Sequence, residues 1–400
     1  MVVTRLEHFD LPPQWSTLRE AARREQRTGQ RIIHLEKGDY SSPEFQPPEQ
    51  AIEAAIRELG RREVRYSPGP GIGPLREALA EEMSHRGRPT DPDEIVVTPG
   101  AKFAIAASLL LLLDSGDEVV MPDPGYPPDE FWARYLRAQV KHLRFRNPRS
   151  VDADHLADLI TPKTRLLILN TPQRPNGQLI ENLHELAEVL RRFPHVTLVS
   201  DEIFSQLVYE PHRHLSLSAD PELRERTVVV DTFSKAYVMT GFRIGWVTAP
   251  RPLAVKYDIL LQNSCTNVST VLQQAALAAL RAPRAFLDGL RARLVRKRDL
   301  AHAILSRSTA LSVDNAQATF YLAPRLRPST DDRVVVQRLL DAGVAVVPGS
   351  AFGPAGAGSL RLTFAVPDEE LREGVSRIVE HLEDRARGLA GRQEGAETRE

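Results

Sequence analysis

The 400-residue chain has a single cysteine, Cys265, so it can form neither an intrachain disulfide nor a cysteine metal site. It has no charge of one sign to spare. Against 53 acidic residues stand 52 basic ones, and a net charge of -1 gives no electrostatic reason to expect nucleic acid or an anionic membrane as a partner. Long apolar runs are missing as well; the longest, 105–113, is too short to cross a bilayer. The opening MVVTRLEHFDLPPQW is charged and broken by prolines, unlike a signal peptide, and the expected compartment is the cytoplasm. The eleven histidines are scattered without ligand-like spacing, so no metal site is expected, and His212 and His214 read as a surface loop. Lysine is scarce, with seven among the 52 basic residues, which makes each one more informative.

What is present is an ordinary globular composition, 42% hydrophobic, on a chain long enough for one large domain or two. From Asp93 onward, short apolar runs alternate with helical patterns. EIVV, 118–121, 140–145, 165–170 and 196–200 read as buried strands, and so does VVV at 228–230. Such a βαβα succession argues for an α/β fold with a mostly parallel sheet covered by helices. After Arg251, three long helical patterns lead into a smaller mixed region with strands near 319–322, 344–347 and 360–364 and a closing helix from Asp368 to Arg385. GPGIGP at 69–74 mimics a dinucleotide fingerprint only superficially, because Pro74 takes the third glycine position and no strand precedes it.

The chemistry collects at the carboxyl ends of these strands, which is where α/β sheets place their sites. Gly100 and Ala101 open a helix whose backbone N–H groups can hold a phosphate. Tyr126 offers a flat face and Asp201 a carboxylate. Thr232 and Ser234 offer hydroxyls, Lys235 an amine and Arg243 a guanidinium. A lysine at a strand end can form a Schiff base with an aldehyde. With a phosphate site, an aromatic platform and an acid for a ring nitrogen, the set describes a pocket for pyridoxal 5'-phosphate. Each residue also has a plainer reading. Asp201 could cap a turn, Thr232 could be an ordinary strand-end hydroxyl, Tyr126 could pack a proline-rich turn, and Arg361, between Leu360 and Leu362, could face solvent.

Seven segments in order, YSPGPGIGPLREAL, VVTPGAKFAIAA, MPDPGYP, VSDEIF, TFSKAYVMTGFRIGW, VAVVPGSAFG and LRLTFAVPDEEL, resemble the class I/II aminotransferases of the fold-type I pyridoxal-phosphate family over nearly the whole chain. The resemblance implies a large domain at 46–285 with a seven-stranded-type sheet. It implies an N-terminal arm and part of a small domain at 1–45 and a small α/β domain at 286–386; the tail at 387–400, polar and without periodicity, is expected to be disordered. It implies that Lys235 is the Schiff-base lysine and general base, that Asp201 pairs with the pyridine nitrogen and that Tyr126 stacks on the ring. Gly100, the backbone of Ala101 and Lys102, Thr232 and Arg243 would hold the phosphate, and Tyr66 would reach the phosphate of a neighbouring subunit in a homodimer. Arg361 would grip the substrate carboxylate beside Gly38. The substrates implied are an L-amino acid and a 2-oxo acid.

Two positions depart from the family pattern. Arg174 stands where an asparagine usually donates to the cofactor's ring oxygen, and Phe204 replaces a tyrosine that does the same. A cation pointing inward at 174 would stabilise that oxygen as phenolate; pointing outward, it would leave Phe204 beside a poorly satisfied oxygen. These departures motivate an alternative of β-elimination or oxygen-dependent deamination on the same fold. A regulator that keeps the fold as a sensor is disfavoured, since residues 1–30 are too few for a DNA-binding domain.

Overall fold

The computed structural model describes residues 13–327 and 330–397, with backbone alone at 13–15 and 385–397. The chain folds into two compact units: residues 44–173 with 178–291, and residues 13–43 with Arg174–Gly177 and 292–397. No helix among the described residues is long and apolar enough to cross a membrane. The N-terminal arm ahead of residue 13 lies outside the described residues.

The first unit is built on an eight-stranded sheet in the order Ile95–Thr98, Gly245–Thr248, Thr227–Thr232, Thr197–Asp201, Thr164–Asn170, Glu118–Asp123, Gln139–Asn147, Ser150–Val151. Six of these are the anticipated strands; Gly245–Thr248 and the two-residue edge strand Ser150–Val151 are additions that the sequence reading did not name. Strands from Thr227–Thr232 through Gln139–Asn147 pair in parallel, whereas Gly245–Thr248 runs antiparallel to both its neighbours. The central strands are buried along almost their whole length, which is why they read as continuous apolar runs rather than alternating ones. One core gathers Leu75, Leu79 and Met83 of helix Gly73–His85, Ala275 and Ala279 of helix Thr270–Leu280, and Val229, Phe233 and Trp246. A second gathers Leu167 and Leu198 from the sheet with Leu156, Leu186 and Leu190 from the helices Ala153–Leu159 and Leu183–Arg192.

Register decides what stands together at the strand ends. Asn170 pairs with Asp201, and Asp201 with Val230, so three neighbouring parallel strands finish almost level.

The second unit holds a three-stranded antiparallel sheet, Tyr321–Leu322, Leu360–Thr363 and Val347–Pro348, and two two-stranded pairs. Lys297, fully buried, donates to the Val366 carbonyl at 2.7 Å and pairs with Asp368, tying its helix to the start of the closing one. The turn Arg174–Gly177, expected within the large domain, belongs here because the Gly177 carbonyl accepts the N–H groups of Gln317 and Ala318. Gly177 has φ +69°, and a Cβ on it would lie 2.6 Å from the Ala318 oxygen. The closing helix runs Asp368–Glu397 and so continues through 387–397, where the sequence suggested a disordered tail. Its Ala, Arg, Glu and Gln content favours helix once the helix has been nucleated. Residues 398–400 of that tail lie outside the described residues.

Candidate active site

In the first unit, Lys235 lies on a single turn of helix, Phe233–Ala236, that follows directly from the strand Thr227–Thr232. Thr232 caps this turn. Its hydroxyl accepts the Ser234 N–H at 3.2 Å and donates to the Ile244 carbonyl at 2.9 Å. Phe233 anchors the turn from below, fully buried, with ring centroids 5.2 Å from Trp246 and 5.3 Å from Tyr237. Removing such a ring costs roughly 3–5 kcal/mol in a packed core, so the turn is firmly held. Lys235 itself is half-buried, with Nζ 5.8 Å from the centroid of the buried Phe204 ring.

Asp201 ends the adjacent strand and is 1% exposed. Its Oδ2 accepts from the Asn170 amide at 3.0 Å and its Oδ1 from the Ile203 N–H at 3.3 Å, so the carboxylate is held by its own turn and by the next strand.

A third element is the start of helix Ala101–Leu112. Gly100 precedes it with φ +79°, no side chain caps it, and its first turn carries no acidic residue. The first N–H groups of a helix have no intrahelical acceptor, so this end attracts an anion. Two glycines allow the close approach. A Cβ on Gly100 would stand 2.9 Å from Arg243 Nη2, and one on Gly245 would stand 3.0 Å from the Ala101 nitrogen. Arg243, exposed and in left-handed conformation (φ +52°), also donates to the Thr240 carbonyl at 2.9 Å. Lys102 is exposed on the same first turn, and Tyr126 is half-buried just before helix Pro127–Tyr135. Tyr66 is 86% exposed and joins none of these groups within the chain.

Behind Asp201 lies a polar layer that the sequence did not suggest. Glu202 is fully buried and accepts from Ser200 at 2.8 Å and from Ser216. Burial raises its carboxyl, with the serines acting against the rise. His214, read from sequence as surface loop, instead turns inward with its side chain 10% exposed. Its Nε2–H donates to the Thr171 carbonyl at 3.1 Å, and Nδ1 stands 4.0 Å from Glu202. Burial, with Arg86 adding to it, pushes His214 down to about 3. Its folded pKa is thus depressed below 6.5, so an unfolded chain takes up a proton that the folded chain refuses. The contribution to stability is whole above about pH 6.5 and is lost as pH falls toward 3, up to roughly 5 kcal/mol in size. His214→Gln keeps a donor for Thr171. In urea titrations between pH 7 and pH 3.5 it is expected to lose stability less steeply than wild type, by about one proton of uptake. Parallel slopes would show that His214 does not carry the effect.

In the second unit, Arg361 is 4% exposed rather than facing solvent. Its strand Leu360–Thr363 is paired on both sides, and Nη2 donates to the Glu36 carbonyl at 2.8 Å. The guanidinium lies 4.6 Å above the Tyr321 ring and 5.7 Å from that of Phe352. Gly38 is exposed, and a Cβ there would meet the Tyr321 hydroxyl at 3.0 Å. Arg174 is 8% exposed. Burial raises the Tyr321 phenol, while Arg361 and Arg174 both act against that rise. Two buried guanidiniums therefore bear on one tyrosine. Reading the sequence missed Tyr321 and Asn170; a polar residue closing the apolar run RLLILN was the available signal for the latter.

A family profile described as aminotransferase class I and II matches residues 30–378. The aspartate/prephenate aminotransferase of Thermus thermophilus is 35% identical, covering 89% of this chain and 92% of that protein. The arginine–pyruvate transaminase of Pseudomonas aeruginosa is 34% identical, covering 90% of this chain and 92% of its own. Among solved structures, the aspartate aminotransferase from Rhizobium meliloti superposes with a TM-score of 0.90 at 29% identity, over 96% of this chain and 99% of that one.

Proposed function

The chain belongs to the class I and II aminotransferases, and on that footing we propose that Lys235 is the residue on which its chemistry turns. Enzymes of this family depend on pyridoxal 5'-phosphate and move an amino group between an amino acid and a 2-oxo acid; this chain is one of them. Bound, the cofactor supplies a ring that withdraws electrons from the substrate's α-carbon.

The residues present suit that group. The helix start behind Gly100, with no side-chain cap, no acidic residue in its first turn and Arg243 beside it, would be a cradle for a phosphate. The N–H groups of Ala101 and Lys102 and the Thr232 hydroxyl would share in it. Asp201, oriented by Asn170, would keep the ring nitrogen protonated, and Tyr126 would lie against the ring face. Lys235 Nζ would hold the aldehyde carbon and move the proton at the substrate's α-carbon. The observation that supports this reading most is the sheet register, which ends the Asp201 strand and the lysine strand side by side.

Arg361 would take the substrate carboxylate as a two-pronged donor, with Gly38 leaving room beside it. Arg174 would add a second positive charge for the substrate, and Phe204 an apolar wall. The working form would be a cytoplasmic homodimer. Ile52, Ile56 and Leu59 of helix Glu49–Gly60 are exposed, an apolar face of the kind that a second copy covers, and Tyr66 would reach the neighbouring phosphate.

The test is a substrate screen of the purified holoenzyme. Each amino acid is incubated with and without 2-oxoglutarate or pyruvate, in air and without oxygen, on protein whose mass in solution is measured alongside. Transfer that needs the 2-oxo acid and ignores oxygen is the expected result. Ammonia released without any 2-oxo acid would overturn it, and oxygen dependence would then separate oxidation from elimination.

A further inference from the structure

Asp231 precedes Thr232 on the strand that carries the lysine turn, and its side chain is 5% exposed. A carboxylate at that depth must be compensated. Compensation arrives from another element: Arg86, which closes helix Gly73–His85, places Nη1 2.6 Å from Asp231 Oδ2. The same Nη1 donates to Ser205 Oγ at 3.0 Å, and Nε donates to Glu82 at 2.8 Å. Ser205 in turn donates to Asp231 Oδ2 at 3.4 Å, while Asp231 Oδ1 accepts the Thr232 N–H at 2.6 Å. Ser205 adjoins Phe204, whose ring faces Lys235 Nζ. One ion pair thus joins the end of a helix, the turn after Asp201 and the turn that carries the lysine.

Stability alone is a poor reason for this arrangement. An apolar pair of similar size is often as stable as a buried ion pair, and the core around Val229, Phe233 and Trp246 would accept one. The charges facing the pair are Glu82 and Glu202, with His214 held neutral nearby. Burial pushes the Asp231 carboxyl up to about 7, with Arg86 acting against the rise and Glu202 adding to it. Arg86, at 2.6 Å, is thus the main group that favours the ionised form of Asp231.

We propose that Arg86 and Asp231 are a positioning pair that locks the Thr232–Lys235 turn against the Phe204–Ser205 turn and so sets where the Lys235 amine stands. The inference rests on Lys235 being the reacting amine.

Asp231→Asn keeps an acceptor for Thr232 but leaves the Arg86 charge unbalanced. Arg86→Lys keeps the charge but loses the fork that joins Ser205 to Asp231. Three readouts are compared with wild type: kcat and KM of the holoenzyme, the pH midpoint of the bound cofactor's absorption, and the pH midpoint of Lys235 acetylation by acetic anhydride in the apoprotein. For Asp231→Asn, kcat is expected to fall about tenfold with KM nearly unchanged, and both midpoints to move down by about half a unit as an unpaired cation disfavours a protonated amine. For Arg86→Lys, a several-fold loss of kcat with a slower-labelling Lys235 is expected. A lowered melting temperature with both midpoints and kcat unmoved would make the pair mere scaffold and overturn the proposal. If Asp231→Asn does not fold, Arg86→Lys decides alone: wild-type kcat and labelling overturn it. Lys235→Ala is measured first. An absorption titration that survives that change sinks the Lys235 reading itself, whatever the pair does.

Discussion

Lys235→Ala is expected to lower amino-group transfer by about 10⁴-fold or more while leaving the fold intact. On the proposed reading, two functions would vanish with one amine, covalent capture of the aldehyde and proton movement at the α-carbon; general acid–base catalysis by itself is worth about 10²–10⁴. The side chain is half-buried, and its Nζ faces the Phe204 ring at 5.8 Å. A cation over an aromatic face is worth about 0.5–1 kcal/mol at such a site, a small part of a domain's stability. Lys235→Arg separates charge from chemistry: it restores the cation over Phe204 but not a nucleophilic amine, because a guanidinium stays protonated. Both variants should therefore be equally inactive, with melting temperatures close to wild type. Activity in Lys235→Arg above a hundredth of wild type would mean that charge, not the amine, is what matters at 235.

Lys235 and Asp201 are legible in the sequence because a buried parallel strand is apolar throughout, so a polar residue at its end stands out. Asn170 stands out in the same way, but an amide at a strand end is common in turns and by itself points to no chemistry. Arg361 is ambiguous on its own strand, where it alternates with leucines like an outward residue. It is buried by pairings with Tyr321–Leu322 on one side and Val347–Pro348 on the other, and by the Glu36 carbonyl 325 residues away in sequence. Whether Arg174 is buried or exposed depends on long-range packing: the Gly177 turn is seated on residues 316–319, and Arg174 is 8% exposed there. Arg86 and Asp231 meet across 145 residues, and Arg86 lies in a charged stretch, SHRGR, that looks like any solvated helix end. His214 sits among loop residues, and only the Thr171 carbonyl, 43 residues earlier, turns it inward. What local pattern does not convey is partnership at long range.

Asp201→Asn is the second large effect, expected to lower kcat by about 10²–10³. The substitution preserves size and leaves Asn170 in place, so what it removes is chiefly the buried carboxylate that would face the ring nitrogen. A preorganised charge or dipole in a site closed to water is worth about 2.7–4 kcal/mol in the transition state, which corresponds to that range. Asn170→Ala tests the same idea one step further back. It removes the 3.0 Å bond that orients Asp201 but leaves the charge, so a loss nearer tenfold is expected. The order of the two effects carries the argument. If Asn170→Ala proved as damaging as Asp201→Asn, the carboxylate would matter as part of a rigid strand-end network, not as a counter-charge. If Asp201→Asn kept a third or more of the wild-type kcat, Asp201 would be a turn-capping acid after all. In that case the Ile203 N–H, 3.3 Å from Oδ1, would be its main partner. The expected outcome, a large loss for the charge and a smaller one for its orienting amide, would fit an acid whose task is to hold a proton on the cofactor's ring nitrogen.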